Sequence, residues 1–469
     1  MYKLIRNIGF LAVLLGLGLV SCDEDYPKSH IAPYDTELLS IKITNAGADG
    51  NTVVEGTIDE DNKIINFPRL DMTTNFSALN LDAKLSDGAT LQNSVLDFSM
   101  DEETASKTLV LRIVNQKRYK EYFIRVRKRI PVYGADFEKP TVYDFSGDNI
   151  YPDYGSLLTR CASDGEHVLI VSRKTAPHLL KVSELKKGEI KPIMLDLTGV
   201  TGGTYSYNMG ALTNGHVYIA SLSGSQASPL KIYYWDTPTS KPEVIADIKV
   251  SDIPGAGNRH GDNISVNIDK NGNGFIFFGD NASTKFLRLT VSNHKTIGEP
   301  KVLTSSADAT MVTNVYRIED TDQYVWSGVR LPVTLVDESL GSKYAMNKSN
   351  LETEAVAPRI FTFNEERYLI VCSAGQGSAT KATPSLVVYN LTKGSTVAEA
   401  MQKFDEGDNH NPDYKFILGG SGNGAALAQT DYLIEKDENG KDAKLCIFGS
   451  RTDSGFVICE FPIKQEEED

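Results

Sequence analysis

Six copies of one strand-like pattern recur along the C-terminal two thirds of the sequence. Each copy is a short apolar run that ends in Ser or Gly, and a second apolar run follows after a polar loop. The copies begin 44 to 77 residues apart, at His167, His216, Phe275, Tyr324, Tyr368 and Leu445. Repeats of about 40–50 residues are typical of four-stranded propeller blades with loop insertions. The pattern therefore predicts a β-propeller over residues 135–464. Six blades are favoured, and seven stay open because of the long interval after Tyr368.

A ring of blades has to close, and residues 141–145 suit that role. They read Thr-Val-Tyr-Asp-Phe and lie before the first copy of the pattern. We expect them to pair as the outer strand of the last blade.

Residues 36–130 show a different sequence pattern, with about seven short segments in which apolar and polar residues alternate. A period of two indicates strands with one buried face, and no helical stretch separates them. Seven such strands in about 90 residues predict a small immunoglobulin-like β-sandwich. The whole chain is thus predicted to be all-β.

The N-terminus has the layout of an export signal. Lys3 and Arg6 precede an apolar run over residues 8–20, which is too short to span a hydrocarbon core of about 30 Å. Residues 19–22 read Leu-Val-Ser-Cys, which resembles the lipobox of bacterial lipoproteins. The pattern predicts that residues 1–21 are removed, that Cys22 is lipidated and that residues 22–35 form a tether. An ordinary cleaved signal with a chance cysteine is the alternative.

The acidic run Asp23-Glu24-Asp25 follows directly. It resembles the surface-export signal of Bacteroidetes lipoproteins, although a solvated acidic linker would look the same. We expect a surface-exposed protein held in the outer membrane by lipid on Cys22.

Charge and motif content exclude several classes of function. The chain has 62 acidic and 48 basic residues, a net charge of −14, which argues against nucleic acid as a partner. No His-Glu-x-x-His, Walker or Cys-x-x-Cys string occurs, so we predict no cofactor and no metal. Residues 269–280 match much of a calcium-loop spacing, but the last ligand is Asp280 rather than Glu. A strand over residues 275–278 would also carry Asp280 away, so a tight hairpin is preferred.

Four cysteines follow Cys22, and most lie in apolar, strand-like strings where a buried thiol is expected. Cys446 and Cys459 flank a plausible hairpin turn at residues 449–455. A turn centred on Thr452 and Asp453 would place the two cysteines opposite one another, so a disulfide is left open.

The candidate binding residues lie at the ends of the predicted blades, where loops surround the central opening. Aromatic faces with amide and guanidinium donors suit sugar rings. The stretches before the repeats offer Tyr154, Tyr205, Tyr207, Asn208, Arg259, His260, Asp262, Asn263 and His410. The loops after the repeated strands add Arg173, Arg330 and Arg451. Ordinary loop composition is the alternative explanation.

The layout as a whole resembles a family of uncharacterised Bacteroidetes outer-membrane lipoproteins with an N-terminal sandwich and a C-terminal propeller. The resemblance implies capture or sensing of polysaccharide at the cell surface. We therefore predict a non-catalytic module that binds a glycan or an outer-membrane protein partner through the propeller face, with the sandwich as spacer. A propeller glycoside hydrolase or lyase is the competing hypothesis. Its carboxylates would come from Asp153, Asp262, Glu354, Asp408 and Asp413. A structural subunit of an outer-membrane complex is the third.

Overall fold

The structure is a computed structural model, and it describes residues 34–101, 104–129, 132–147, 158–173, 175–224, 228–308, 312–374, 383–419 and 427–465. The chain divides into two compact units, Met1–Pro131 and Val132–Asp469. Both are built from β-sheets, which agrees with the predicted fold class. No helix among the described residues is long and apolar enough to span a membrane. The predicted leader, the tether as far as residue 33 and Cys22 lie outside the described residues.

The first unit contains two sheets that share one apolar core. Their strands are β1 (Leu38–Ala46), β2 (Thr52–Glu55), β3 (Thr57–Asp59), β4 (Ile64–Asn66), β5 (Leu79–Leu85), β6 (Thr90–Leu91), β7 (Val95–Leu96), β8 (Ser106–Asn115) and β9 (Arg118–Arg127). One sheet has the order β2-β1-β5-β7 and the other β3-β4-β9-β8-β6. Ile41 and Ile43 of the first sheet and Tyr122 and Ile124 of the second are buried in the same cluster. Alternate residues of each strand therefore point into the core, as the period-two pattern predicts.

The second unit carries the remaining strands. The first three described sheets comprise β11 (Arg160–Ser163), β12 (His167–Val171), β13 (His178–Lys181) and β14 (Ile193–Met194); β15 (Tyr205–Thr213), β16 (His216–Leu222), β17 (Leu230–Trp235) and β18 (Glu243–Ile248); and β19 (Ser265–Ile268), β20 (Gly274–Gly279), β21 (Lys285–Ser292), β22 (Thr296–Ile297) and β23 (Lys301–Thr304).

The next three comprise β24 (Thr313–Arg317), β25 (Gln323–Gly328), β26 (Thr334–Asp337) and β27 (Ser342–Ala345); β28 (Ala355–Phe363), β29 (Glu366–Ser373), β30 (Ser385–Asn390) and β31 (Tyr414–Ile417); and β32 (Ala428–Lys436), β33 (Asp442–Arg451) and β34 (Gly455–Pro462) with β10 (Thr141–Ser146) at its edge. The described helices are α1 (Val182–Leu185), α2 (Val397–Glu406) and the 3-10 turns Phe76–Ala78, Val250–Asp252 and Lys348–Asn350.

The first strands of these six sheets contact one another in cyclic order. β11 contacts β15, and contacts continue through β19, β24, β28 and β32, which in turn contacts β11. Side chains tie neighbouring sheets together: Ser327 Oγ donates to the carbonyl of Ala355 over 2.7 Å, and Ser450 Oγ donates to that of Cys161 over 2.8 Å. The last sheet is completed by β10, which pairs with β34 from Thr141 opposite Glu460 onward. This is the pairing that the sequence predicts for residues 141–145.

The repeated sequence pattern corresponds to the second strand of each sheet. β12 and β16 are buried at every residue after their first histidine. Neighbouring sheets cover both faces of such a strand, so its sequence is a continuous apolar run rather than an alternating one. A first strand precedes each marked segment, so the stretch before a repeat is partly strand rather than loop.

Cys446 and Cys459 do not form a disulfide; both thiols are free and buried. Arg451 pairs with Gly455, so the turn is centred on Asp453 rather than between Thr452 and Asp453, and the pairing moves by one residue. Cys446 therefore lies opposite Glu460, and Cys459 lies opposite Ile447. A shift of one residue sends the two side chains to opposite faces of the sheet, and they join different apolar clusters.

Candidate functional site

The candidate site lies at the end of the second unit where the first strands begin and the second strands finish. Arg160 at the start of β11 pairs with Val171 at the end of β12, and Ala355 pairs with Ser373 in the same way. This end is called the entry end below. The loops before first strands and after second strands therefore meet here.

A buried cation, Arg160, lies at the centre of the polar network. Its side chain is 2% exposed, Nη1 donates to the carbonyl of Asn208 over 2.7 Å, and Nη2 lies 3.3 Å from Asp262 Oδ1. Burial lowers the pKa of Arg160 to about 10, because a low-dielectric site disfavours its charge. The group remains protonated at neutral pH.

The carboxylate of Asp262 is saturated by donors. Oδ1 accepts from Asn208 Nδ2 at 3.0 Å as well as facing Arg160, and Oδ2 accepts from Asn281 Nδ2 at 2.6 Å. Burial alone would raise the pKa of Asp262, but the charge of Arg160 and these amide donors outweigh it and hold the pKa below its ordinary value. A carboxylate held in this way neither gives nor takes a proton readily, so its role is structural.

An outer layer covers this network, formed by the half-buried Arg173 and the exposed Tyr205. The Arg173 guanidinium lies 3.5 Å from the centroid of the Tyr205 ring, and its Nη2 donates to Asn208 Oδ1 over 2.9 Å. Tyr205 is 40% exposed. The pairing register of β15 shifts between Tyr205 and Met209, and such an irregularity re-aims side chains at a strand end.

Arg259 reaches the same network from the loop before β19. Its side chain is 44% exposed, and its Nε lies 3.4 Å from Asp262 Oδ2. Asp280 fixes this loop, because its Oδ1 accepts the backbone N–H groups of Asn258 and Arg259 at 2.9 and 2.7 Å. Gly257 has a φ of +87°, and a Cβ there would come within 2.7 Å of the Asp280 carboxyl carbon. The close approach of loop and carboxylate therefore requires glycine.

His260 and Asn263 hold the loop rather than face a ligand. His260 is fully buried, and its Nε2 lies 2.7 Å from the carbonyl oxygen of Ala256. Asn263 Nδ2 donates to the Gly279 carbonyl over 3.2 Å and its Oδ1 accepts the Gly279 N–H at 2.8 Å. Burial lowers the pKa of His260, which favours the neutral ring.

The other predicted residues lie apart from this cluster. Tyr207 is half-buried against the apolar core between the first two sheets. Arg330 donates its backbone N–H to Glu354 Oε2 over 2.6 Å, beside a separate cavity of about 250 Å³. Arg451 is buried at the end of β33. Tyr154 lies outside the described residues.

The prediction that His410 lies in an entry loop is wrong. The register of β29 with β30 places Asn390 at the end of the sheet opposite the entry end, and His410 lies in the connection that follows. Its Nε2 is 3.0 Å from the Phe404 carbonyl of α2. The sequence shows no clear signal for the outer strand β31, so residues 409–411 were placed before a first strand instead of before an outer one.

Two buried polar residues at the starts of first strands were missed in the sequence. Arg160 is the single cation in the strand Arg-Cys-Ala-Ser, and a lone charge in a buried strand was the available signal. Gln429 Nε2 donates to the carbonyl of Gly210 over 2.9 Å, a contact between the last sheet and the second. Its side chain carried no sequence signal.

The calcium-like spacing is a tight turn, as the sequence favours. Asp269 Oδ1 accepts the N–H groups of Asn271 and Asn273 at 2.8 and 2.9 Å. Strand β20 then carries Asp280 to the entry end. No group of three or more metal-ligating side chains forms among the described residues.

A family model described as a domain of unknown function, DUF4623, matches residues 24–464. The chain belongs to this family. A crystal structure of a DUF4623 family protein from Bacteroides eggerthii DSM 20697 is 70% identical, covers 93% of this chain and 100% of its own, and superposes with a TM-score of 0.81. A search of curated proteins finds no match.

Two solved structures are far less similar to this DUF4623 protein. The Neurospora crassa Pan2 WD40 domain is 12% identical, with coverage of 72% and 99% and a TM-score of 0.36. The neuraminidase-like protein of A/little yellow-shouldered bat/Guatemala is 10% identical, with coverage of 71% and 100% and a TM-score of 0.38. Neither TM-score is high enough to support an argument about function.

Proposed function

We propose that this DUF4623 protein is a non-catalytic, lipid-anchored surface protein that binds a glycan at the entry end of its second unit. We infer that Val132–Asp469 is a six-bladed β-propeller. The cyclic contacts of the six first strands and the pairing of β10 with β34 support this fold. The two sheets of Met1–Pro131 around one core support an immunoglobulin-like sandwich that acts as spacer.

The single observation that carries glycan binding is the stacked pair of Arg173 and Tyr205 above a buried polar network. Tyr205 offers apolar ring area to the C–H face of a sugar, while guanidinium groups offer donors to its hydroxyl rim. A cavity of about 320 Å³ lies beside the loop that precedes Arg259 and is lined in part by Ser228, Ser251 and Asn258, whose polar side chains suit neighbouring sugar units.

Isothermal titration against neutral and acidic polysaccharides tests this proposal. Tyr205→Ala should weaken binding of a bound polymer at least tenfold. Tyr119→Ala is the matched control, since Tyr119 is also exposed and also lies under an arginine, Arg112, at 4.6 Å, but in the first unit. Equal affinity of both variants and wild type would contradict the proposed site.

The enzyme hypothesis is the weaker alternative. Hydrolysis by paired carboxylates needs one acid with a raised pKa near the site. At the entry end, the pKa values of Asp262 and Asp280 are both lowered, in spite of burial, by the donors around them. Glu354 is occupied by the Arg330 N–H, and the residues around Asp408 and Asp413 line a cavity at the opposite end. Product analysis on each polymer that binds should show no cleavage.

The lipid anchor is proposed from the sequence of residues 19–22. Growth with labelled palmitate should label the wild-type protein and leave Cys22→Ser unlabelled. Protease added to intact cells should digest the wild-type protein; protection would contradict surface exposure.

A further inference from the structure

The proposed glycan site contains more positively charged than negatively charged side chains. Three guanidinium groups, Arg160, Arg173 and Arg259, surround the one carboxylate of Asp262. That carboxylate faces Arg160 and Arg259 and accepts from two amides. Among the described residues, no carboxylate lies within ion-pair distance of Arg173.

The two neighbouring carboxylates are engaged by the backbone. Asp280 accepts the N–H groups of Asn258 and Arg259 and the hydroxyl of Ser283 at 2.7 Å. Asp453 Oδ1 accepts the Thr159 N–H at 2.8 Å. Asp280 and Asp453 are thus engaged by backbone groups, and among the described residues Asp262 is the carboxylate that faces these arginines.

Both arginines contact the buried network, Arg173 through Asn208 and Arg259 through Asp262. Burial lowers the pKa of Arg173 and the charge of Arg259 adds to this effect, although Tyr205 and Asp262 oppose it. Such an arrangement costs stability, and an anion placed against both groups would relieve it. The fork of an arginine matches the planar carboxylate, which it can hold through two parallel hydrogen bonds.

We propose that the entry end recognises the carboxylate of an acidic sugar, with Arg173 and Arg259 as its donors and the Tyr205 ring against the sugar face. This inference rests on the proposed function and names the substrate class of the same site. Arg160 and Asp262 do not touch the ligand. They hold Arg173 and Arg259 in place, Arg173 through Asn208 and Arg259 through Asp262 itself. A neutral glycan would offer these two guanidinium groups no carboxylate beyond that of Asp262.

Three polymers with uronic acids serve as probes: polygalacturonate, alginate and hyaluronan, each beside its carboxyl-reduced form, which has a neutral chain. Titration of the mature chain should show at least tenfold tighter binding of the acid than of the reduced form for one or more pairs. Binding should weaken with added salt, since exposed charges are screened.

Variants then assign the carboxylate contact. Arg259→Gln should weaken binding of the acidic polymer about tenfold and lower the ratio of its affinity to that of the reduced form, because glutamine keeps a donor for hydroxyl groups but loses the charged fork. Arg259→Lys should fall between them, because it keeps the charge and loses the fork. Arg112→Gln in the first unit is the matched control, because the Arg112 side chain is 42% exposed and also faces a carboxylate, that of Glu121, and its affinity should equal that of wild type. Thermal unfolding of each variant confirms that it is folded.

The outcomes are distinct for the two proposals. Equal binding of acid and reduced polymers overturns the carboxylate assignment and leaves glycan binding standing. Binding of dextran sulfate without binding of any uronic acid assigns the site to sulfate esters and likewise overturns the inference. Failure of all neutral and acidic polymers to bind overturns the proposed function together with it.

Discussion

At the scale of single residues, the ion pair of Arg160 and Asp262 is the structural support of the candidate site. Both side chains are 2% exposed, and each has further hydrogen-bond partners. Removing one member of a buried pair leaves the other charge uncompensated, which costs far more than the pair contributes by itself. The network is therefore a rigid base whose loss should affect stability before it affects binding.

Asp262→Asn should lower the free energy of unfolding by about 3–5 kcal/mol, because Arg160 stays buried without a counter-charge. Urea unfolding at pH 7 measures the difference. Asp247→Asn is the control: Asp247 pairs with Lys231 at 3.3 Å, but its side chain is 55% exposed, and such pairs contribute about 0–1 kcal/mol. Similar losses in the two variants would show that the Arg160 site is solvated.

Asp431 predicts a pH dependence of stability. Burial raises its pKa to about 6, although Arg359 at 3.4 Å opposes the shift. The folded chain then binds a proton that the unfolded chain, with an ordinary pKa near 4, releases between about pH 4 and 6. Asp431 therefore makes the protein less stable as pH rises through that window.

The matching variant is Asp431→Asn, which cannot titrate. Wild type should lose about 1–3 kcal/mol relative to this variant between pH 4 and pH 7, measured by urea unfolding at each pH. Curves that stay parallel over the whole range would contradict the raised pKa.

The sequence identified a site residue only where a polar or aromatic side chain stood in a predicted loop. Arg173, Tyr205, Asn208, Arg259 and Asp262 were chosen because polar residues around blade openings suit ligands, and the structure brings these five together. His260 and Asn263 have the same chemistry but are buried against the backbone. Burial depends on how neighbouring loops pack, which the local sequence does not specify.

At the scale of elements, the sequence predicted strands well and registers poorly. Apolar runs identify second strands because both faces are covered. A register, however, is set by turn geometry, and Asp453 adopts a φ of +58° in the turn between β33 and β34. That turn moves the pairing by one residue and separates Cys446 from Cys459.

Because Cys446 and Cys459 are not bonded to each other, the four cysteines after Cys22 should all react as free thiols. A chain with Cys22→Ser, unfolded in guanidinium without reductant, should react with Ellman's reagent at four thiols. Reductant should not change the count. In the native state none should react at pH 8, since burial raises the pKa of Cys446 and Cys459 to about 12. A count of two before reduction would show a disulfide and a different register.

At the scale of the whole molecule, the sixth sheet of the second unit draws on both ends of that unit. β10 comes from its start and β32, β33 and β34 from its end. Bringing distant segments together costs loop-closure entropy, so this pairing should be stable only when the sheets between them are folded, and the six sheets should unfold as one cooperative unit. The sequence predicted the pairing of residues 141–145 with the last sheet because they lie before the first copy of the repeat, and the structure shows this pairing.

The pairing of β10 with β34 can be tested directly with an engineered disulfide. Val142 pairs with Cys459, and directly opposed residues in antiparallel strands have Cα atoms about 4.5–5.5 Å apart, within the range of disulfides. Val142→Cys should therefore form a disulfide with Cys459 under oxidising conditions and stabilise the second unit by about 2–4 kcal/mol. The gain should disappear with reductant.

Tyr143→Cys is the control, because it lies opposite Ile458 and points to the other face of the sheet. Peptide mapping should find the cross-link in the first variant only, and calorimetry should show that it raises the transition of Val132–Asp469 while that of the first unit stays unchanged. A cross-link at position 143, or none at 142, would mean that β10 pairs with β34 in another register, and the proposed propeller would lose the strand pairing that supports it.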